Sequence, residues 1–235
     1  MRRNLGISLA AAAFLFVAGA DLAQAQDESR AVADGGIFVE GWKGRIDPQE
    51  AARGFTLSSA RLSSTADGAL QVTTGPAVTY WNPANVATGN YTVKATFTEP
   101  KYMSLNNHPH PYGIVIAGSD MDTDKPRYLY CAAYGNGRFI VRGFGPEPFQ
   151  LNGRRGEEHE AVNRAAGPGE SVTQEIAVTV RDGKVECAIN GTVVASYDRS
   201  EVIGEGRLPS TDGVYGIRFG HNTEGIVTGL TVIKH

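Results

Sequence analysis

The stretch IAVTVRDGKVECAINGTVVASY, residues 176–197, decides the fold. It carries two turn signals, Asp182-Gly183 and Asn190-Gly191, each between apolar/polar alternations. Both dipeptides tolerate positive φ at the two central positions of a tight hairpin, the geometry whose twist matches paired strands. The register follows. Val180 falls opposite Val185, Val178 opposite Cys187 and Ile176 opposite Ile189, and beyond the second turn Val194 is expected opposite Cys187. These residues share one face, while Thr179, Arg181, Lys184 and Glu186 share the other, because strand side chains alternate. An antiparallel meander with one apolar face needs a second layer to cover it.

Working outward, residues 1–25 read as a secretory signal. Arg2 and Arg3 supply the basic start and 9–17 the short apolar core, and Ala23-Gln24-Ala25 is a small-residue cleavage pattern with the cut after Ala25. Residues 26–35 read as a flexible polar tether, and 36–235 as a single domain. The whole chain has 22 basic and 25 acidic residues; without Arg2, Arg3 and Asp21, 20 basic side chains face 24 acidic ones. No basic cluster remains, which argues against a nucleic-acid partner. No apolar run approaches the roughly 20 residues of a spanning helix, so a soluble periplasmic or secreted protein is expected. Cys131 and Cys187 are compatible with one disulfide in an oxidising compartment. Both also occupy apolar strand positions, where free cysteine behaves as a small hydrophobe.

In chain order, a strand is expected at 37–42. Asp47-Pro48-Gln49-Glu50 then starts a short helix, with Asp as N-cap and Pro in the first turn, stopped at Gly54. Strands follow at 55–62, 69–74, 77–81 and 91–98. The last alternates cleanly, with Tyr91, Val93, Ala95 and Phe97 on one side. Residues 99–112 and 145–171 are long irregular connections, the second with a helical turn expected near 158–165. Long ordered loops are disproportionately functional. Trp42 and Trp81 sit at strand ends and read as packing residues. Final strands are expected at 214–220 and 226–234. About a dozen strands and little helix make an all-β, two-sheet antiparallel sandwich.

The hairpin 128–144 is the second informative stretch. A two-residue loop would place Arg142 beside Cys131 on the apolar face. The loop Gly135-Asn136-Gly137, a type I turn closed by a glycine bulge, avoids burying that charge. Leu129, Cys131, Ala133, Phe139 and Val141 then face one way, and Tyr128, Tyr130, Tyr134, Arg138 and Arg142 the other.

The segments VRDGKVECAINGTVVASYD (180–198), GVYGIRFGHNTEGIVTGLTVIK (213–234) and GNYTVKATF (89–97) resemble the concanavalin A-like lectin/glucanase superfamily. Within it they look like the laminin-G-like and 3-keto-disaccharide-hydrolase-like domains of bacterial exported proteins. The carrying pattern is a D-G-x-V-x-x-x-I-N-G hairpin followed by a closing G-x-x-G-I-R strand. The resemblance implies a jelly-roll sandwich whose concave face holds carbohydrate. The E-x-D-x-x-E triplet of the glucanases is missing: Glu157, Glu158 and Glu160 stand around His159 without strand spacing.

The expected site is therefore a concave face bearing Tyr128, Tyr130, Tyr134, Arg138 and Arg142, with His108, His110 and Tyr112 as walls. Aromatic rings stack on sugar C–H surfaces, and arginine supplies fixed donors to hydroxyls or carboxylates. The reading is a non-catalytic binder of glycan or a related polar ligand. The alternatives are a sugar hydrolase using loop carboxylates (Glu147, Glu157, Glu158, Glu160) and a structural or protein-interaction domain. No cofactor is expected. His108-Pro109-His110 could chelate a metal, but a rigid packing loop is the preferred reading. Asp120, Asp122 and Asp124 leave room for a structural calcium, although the Gly and bidentate Glu of the helical calcium loop are missing.

Overall fold

The structure is a computed structural model that describes residues 29–235; the expected signal segment lies outside the described residues. In chain order the elements are β1 (Gly36–Ile37), β2 (Lys43–Ile46), α1 (Pro48–Ala51), β3 (Ala60–Ser64), β4 (Leu70–Thr74), β5 (Val78–Ala87), β6 (Tyr91–Glu99) and β7 (Tyr112–Ser119). They continue with β8 (Arg127–Ala133), β9 (Arg138–Phe144), β10 (Pro148–Gln150), β11 (Glu157–Glu158), β12 (Val172–Arg181), β13 (Lys184–Ile189), β14 (Thr192–Asp198), α2 (Arg199–Val202), β15 (Gly213–Phe219) and β16 (Glu224–Lys234). One sheet runs β1-β3-β4-β16-β6-β12-β13-β14 and the other β10-β9-β8-β7-β15-β5-β2, with β11 added beside β9. Apart from β1 against β3, the pairings are antiparallel. The chain crosses between the sheets repeatedly, as at β4–β5, β6–β7 and β14–β15, which makes a jelly-roll sandwich.

The organising meander takes its expected register between β12 and β13: Ile176 pairs with Ile189, Val178 with Cys187 and Val180 with Val185. The second turn differs. A bulge between Cys187 and Ala188 sets Cys187 opposite Ala195, so Val194 is the extra residue and not the partner of Cys187. A bulge shifts all later pairings by one, which alternation alone does not reveal. The other hairpin adopts the three-residue loop. Tyr134 N–H donates to Arg138 O at 2.8 Å, and Gly137 has φ +86°.

The inward faces of β6, β12 and β13 meet those of β7, β8, β9 and β15. Val93, Phe97, Ile176 and Val178 close against Ile114, Leu129, Val141 and Ile217, all buried. Cys131 on β8 and Cys187 on β13 are joined by a disulfide across the two sheets, Cα to Cα 6.0 Å. The bond closes a loop of 56 residues.

Three further differences have local causes. The stretch expected to be a tether is, from Ser29 onward, docked on the sandwich: Ser29 Oγ donates to Glu50 at 2.6 Å, and Val32 N–H donates to Ser59 O. The region near 158–165 holds no helix but turns and a bridge, Asn136 to Arg164. Finally, the inward alternation of β6 continues one residue past the expected end, to Glu99. Its side chain lies buried beside Tyr102 and Gly135, and burial pushes the carboxyl up to about 7, a Met103 N–H bond offsetting only part of this.

Two outcomes are expected. Replacing both cysteines by alanine removes a cross-link whose loop-closure contribution is about 2–4 kcal/mol; thermal unfolding should move down by on the order of 10 °C. Because the folded pKa of Glu99 is raised, the folded state binds the extra proton, and stability falls as pH rises from the unfolded carboxylate range to about 7. Glu99→Gln should therefore gain roughly 2–3 kcal/mol on wild type between about pH 5 and 8, read as the difference in denaturant midpoints.

Candidate functional site

The outer face of the second sheet is built from residues that alternation turns away from the core. Tyr130 on β8 pairs directly with Arg142 on β9, so both stand on one side of their ribbon. Val115 on β7 lies on the other side of Tyr130, and Gly216 and Trp81 continue the row across β15 and β5. Trp81, Val115, Tyr128, Tyr130, Ala132 and Ile140 form an apolar patch distinct from the main core. Met121 packs on it from the acidic loop 119–125 and roofs part of the face.

Arg218, on β15, governs what stays open. Its guanidinium is buried and forms a two-point pair with Asp47, Nη1 to Oδ1 at 2.7 Å and Nη2 to Oδ2. Nη1 also donates to Thr79 Oγ1 at 2.9 Å and to Tyr128 Oη at 3.2 Å. The same group lies 5.0 Å from the Tyr130 ring centre and 5.3 Å from that of Phe144. Burial works against its charge, but Asp47 and the phenols of Tyr128 and Tyr130 outweigh that and hold its pKa well above the usual value. Asp47 precedes α1 as the sequence predicts, yet its side chain makes no cap hydrogen bond because Arg218 holds it.

Around this pair lie two adjoining hollows of about 530 and 730 Å³ that share Asp47, Tyr130, Arg142 and Arg218 as walls. The first continues over Phe144, Phe149 and Gln150. The second extends over Tyr134, Asn136, Arg138 and Arg155 to His108, His110 and His221. Arg142 Nη2 donates to Arg154 O at 2.9 Å, while its Nε is buried with no hydrogen-bond partner among the described residues. Arg138 is held by Glu158 at 3.1 Å and by the Gly156 carbonyl at 3.0 Å. Burial pushes the Tyr134 phenol up to about 12, so it remains a donor.

The structure thus brings Tyr130, Tyr134, Arg138, Arg142, His108 and His110 to one hollow. Two expected members are elsewhere. Tyr128 is sealed beneath Arg218 and Phe144, where its hydroxyl serves the buried network. Tyr112 continues the inward row of β7 and stacks 6.0 Å from Phe97 and from Phe219 in the core, because Pro111 ends the loop and alternation takes over. The loop carboxylates also stand apart: Glu158 bridges Arg138 and Arg164, and Glu147, Glu157, Glu158 and Glu160 line neither hollow. In the acidic loop, Asp122 pairs with Lys43 at 2.8 Å and Asp120 faces Arg127 at 3.6 Å, so two of its three carboxylates are matched by cations. Sequence reading missed Asp47 and Arg218 as site residues, and spacing did not tie His221 to the His108 and His110 pair. Only Arg218 carried a signal: strand alternation around Ile217 places it on the outer face.

No family profile and no curated protein sequence matches this chain. Solved structures do match in fold. A carbohydrate-binding module, CBM66, from Bacillus subtilis superposes with TM-score 0.54 at 6% identity, over 86% of this chain and 98% of that one. A Bacillus subtilis protein with a galectin-like fold gives 0.52 at 11% identity, over 89% and 98%. An endo-β-1,3-glucanase from Pyrococcus furiosus gives 0.50 at 12% identity, over 89% and 94%. The fold is accordingly a jelly-roll β-sandwich, the architecture these structures share with it. Among the described residues no helix is long and apolar enough to cross a membrane.

Breaking the central pair should be costly on one side only. Asp47→Ala leaves Arg218 buried without its counter-charge and is expected to destabilise by about 3–5 kcal/mol. Adding Arg218→Met should recover a large part of that loss in a double-mutant cycle of chemical denaturation.

Proposed function

We propose that the protein binds carbohydrate in the joined hollows on its outer β8–β9–β15 face, and that sugars bearing carboxylates are preferred. One observation carries this: Tyr130 and Arg142 stand side by side in the wall shared by both hollows, beside a buried Arg218–Asp47 pair. The larger hollow is lined by four guanidiniums, those of Arg138, Arg142, Arg155 and Arg218, against the single carboxylate of Asp47. That balance favours an anionic occupant. Arginine forks match carboxylates with paired donors, and the buried Arg142 Nε lacks a partner that such a ligand would supply. Tyr134 offers a flat ring and a phenol donor at the same wall.

The fold likeness to a carbohydrate-binding module supports the class of ligand, and the inter-sheet disulfide supports an oxidising compartment. On this reading residues 1–25 direct export, the chain is cut after Ala25, and the single sandwich domain acts in the periplasm or outside the cell. Binding, not turnover, is the role proposed for this face, since the carboxylates nearest it are already engaged: Asp47 with Arg218 and Glu50 with Ser29.

The test is a glycan array that includes polyuronates, followed by calorimetry on the hits. Arg142→Ala and Tyr134→Ala should each weaken the best hit at least about tenfold, the scale of one lost charged hydrogen bond. Tyr112→Phe, in the core, should leave affinity unchanged. An array with no hit, or a hit indifferent to Arg142→Ala, would overturn the assignment.

A further inference from the structure

At the end of the larger hollow three imidazoles from two distant segments meet. His108 and His110 come from the loop before β7, and His221 from the turn after β15. Ring centres are 4.3 Å apart for His108 and His110, 3.7 Å for His110 and His221, and 5.9 Å for His108 and His221. One ring nitrogen from each lies within 4.8 Å of the others. We infer that His108, His110 and His221 bind a divalent transition-metal ion of the zinc class, and that this site forms one wall of the hollow.

Four features support the site. First, the loop is stiff and pinned. Pro109 and Pro111 restrict the backbone on both sides of His110, Gly220 N–H donates to Pro111 O at 2.8 Å, and Asn106 Nδ2 donates to Asn222 O at 3.0 Å. Second, position 220 must be glycine for the approach: a Cβ there would lie 2.8 Å from the His110 Cβ. Third, the outer nitrogens of two rings have oriented partners, as metal-bound histidines do. His108 Nδ1 meets Asn107 Oδ1 at 2.7 Å, and His221 Nδ1 meets Glu50 Oε1 at 3.4 Å. Fourth, His110 Nε2 is buried with no hydrogen-bond partner among the described residues.

Mere ring packing accounts for the contacts but leaves that buried lone pair unsatisfied, and native interiors seldom do so. An ion supplies the missing partner. Zinc holds imidazole nitrogen at about 2.0–2.1 Å, which sets nitrogen–nitrogen separations of about 3.4 Å in a tetrahedron. Small ring rotations close that gap. Three nitrogen donors and no carboxylate select zinc, cobalt, nickel or copper over calcium and magnesium. A tetrahedral ion would keep one position for water or for an oxygen of the hollow's occupant. The site stands whether or not that occupant is a sugar.

The test uses the exported chain, stripped with a chelator and dialysed, then titrated with zinc by calorimetry and with cobalt by visible absorption. Equimolar zinc, and a cobalt spectrum of tetrahedral intensity, are expected. His108→Ala, His110→Ala and His221→Ala should each weaken zinc at least about 100-fold, and Glu50→Gln and Asn107→Ala about 10–100-fold. His235→Ala should not change it. His108→Asn serves if an alanine variant fails to fold, and circular dichroism of the stripped proteins checks folding in every case. The inference is overturned if zinc, cobalt, nickel and copper all bind the stripped protein no better than they bind His108→Asn, or if calcium binds as tightly as zinc. Arg142→Ala should leave zinc affinity intact, so failure of the glycan assignment and failure of the metal site are read separately.

Discussion

A buried guanidinium held by one carboxylate organises the functional face of this sandwich. Arg218 rises from the middle of the second sheet among Thr79, Tyr128, Tyr130 and Phe144, and Asp47 closes over it from the start of α1. Neither charge would be tolerable there alone, since an unpaired ion out of water costs several kcal/mol. Together they tie the N-terminal segment to the central strand and set two buried tyrosines to different uses. Tyr128 is consumed by the pair, while Tyr130 remains in the wall of both hollows.

The same economy of partners runs through the surrounding loops. Arg138 is occupied by Glu158 and the Gly156 carbonyl, whereas Arg142 donates from Nη2 to Arg154 O and keeps a buried Nε without a partner among the described residues. Glu50 serves Ser29 and His221 at once, linking the first described residue to the histidine cluster. The two ends of the site, guanidinium-rich and imidazole-rich, are therefore joined through α1 and its cap: Asp47, just before the helix, faces Arg218, and Glu50 within it faces His221. A ligand bridging them would meet guanidinium donors at one end and imidazole rings at the other.

The sandwich was legible because its signals are local. Two Asx-Gly turns and strict alternation specify the β12–β13 pairing residue by residue, and the cost of burying Arg142 chose the three-residue loop between β8 and β9. Alternation also predicted correctly that Tyr130 and Arg142 share a face. It misled where a local rule stopped early: the expected strand 37–42 is, past Ile37, a turn between β1 and β2, the expected strand 91–98 ends before Glu99, which the pleat carries into the interior, and the bulge at Cys187/Ala188 displaces Val194.

What the residue order alone determined is which side chains share a ribbon face and where the ribbons turn, because period-two geometry and turn chemistry act over a few residues. Tertiary structure alone decided the partners. Asp47 finds Arg218 at a separation of 171 residues, Cys131 finds Cys187 at 56, and His221 joins His108 and His110 where β15 pairs with β7. Contacts of that range are set by how two sheets stack and cross, and neither spacing nor composition encodes them.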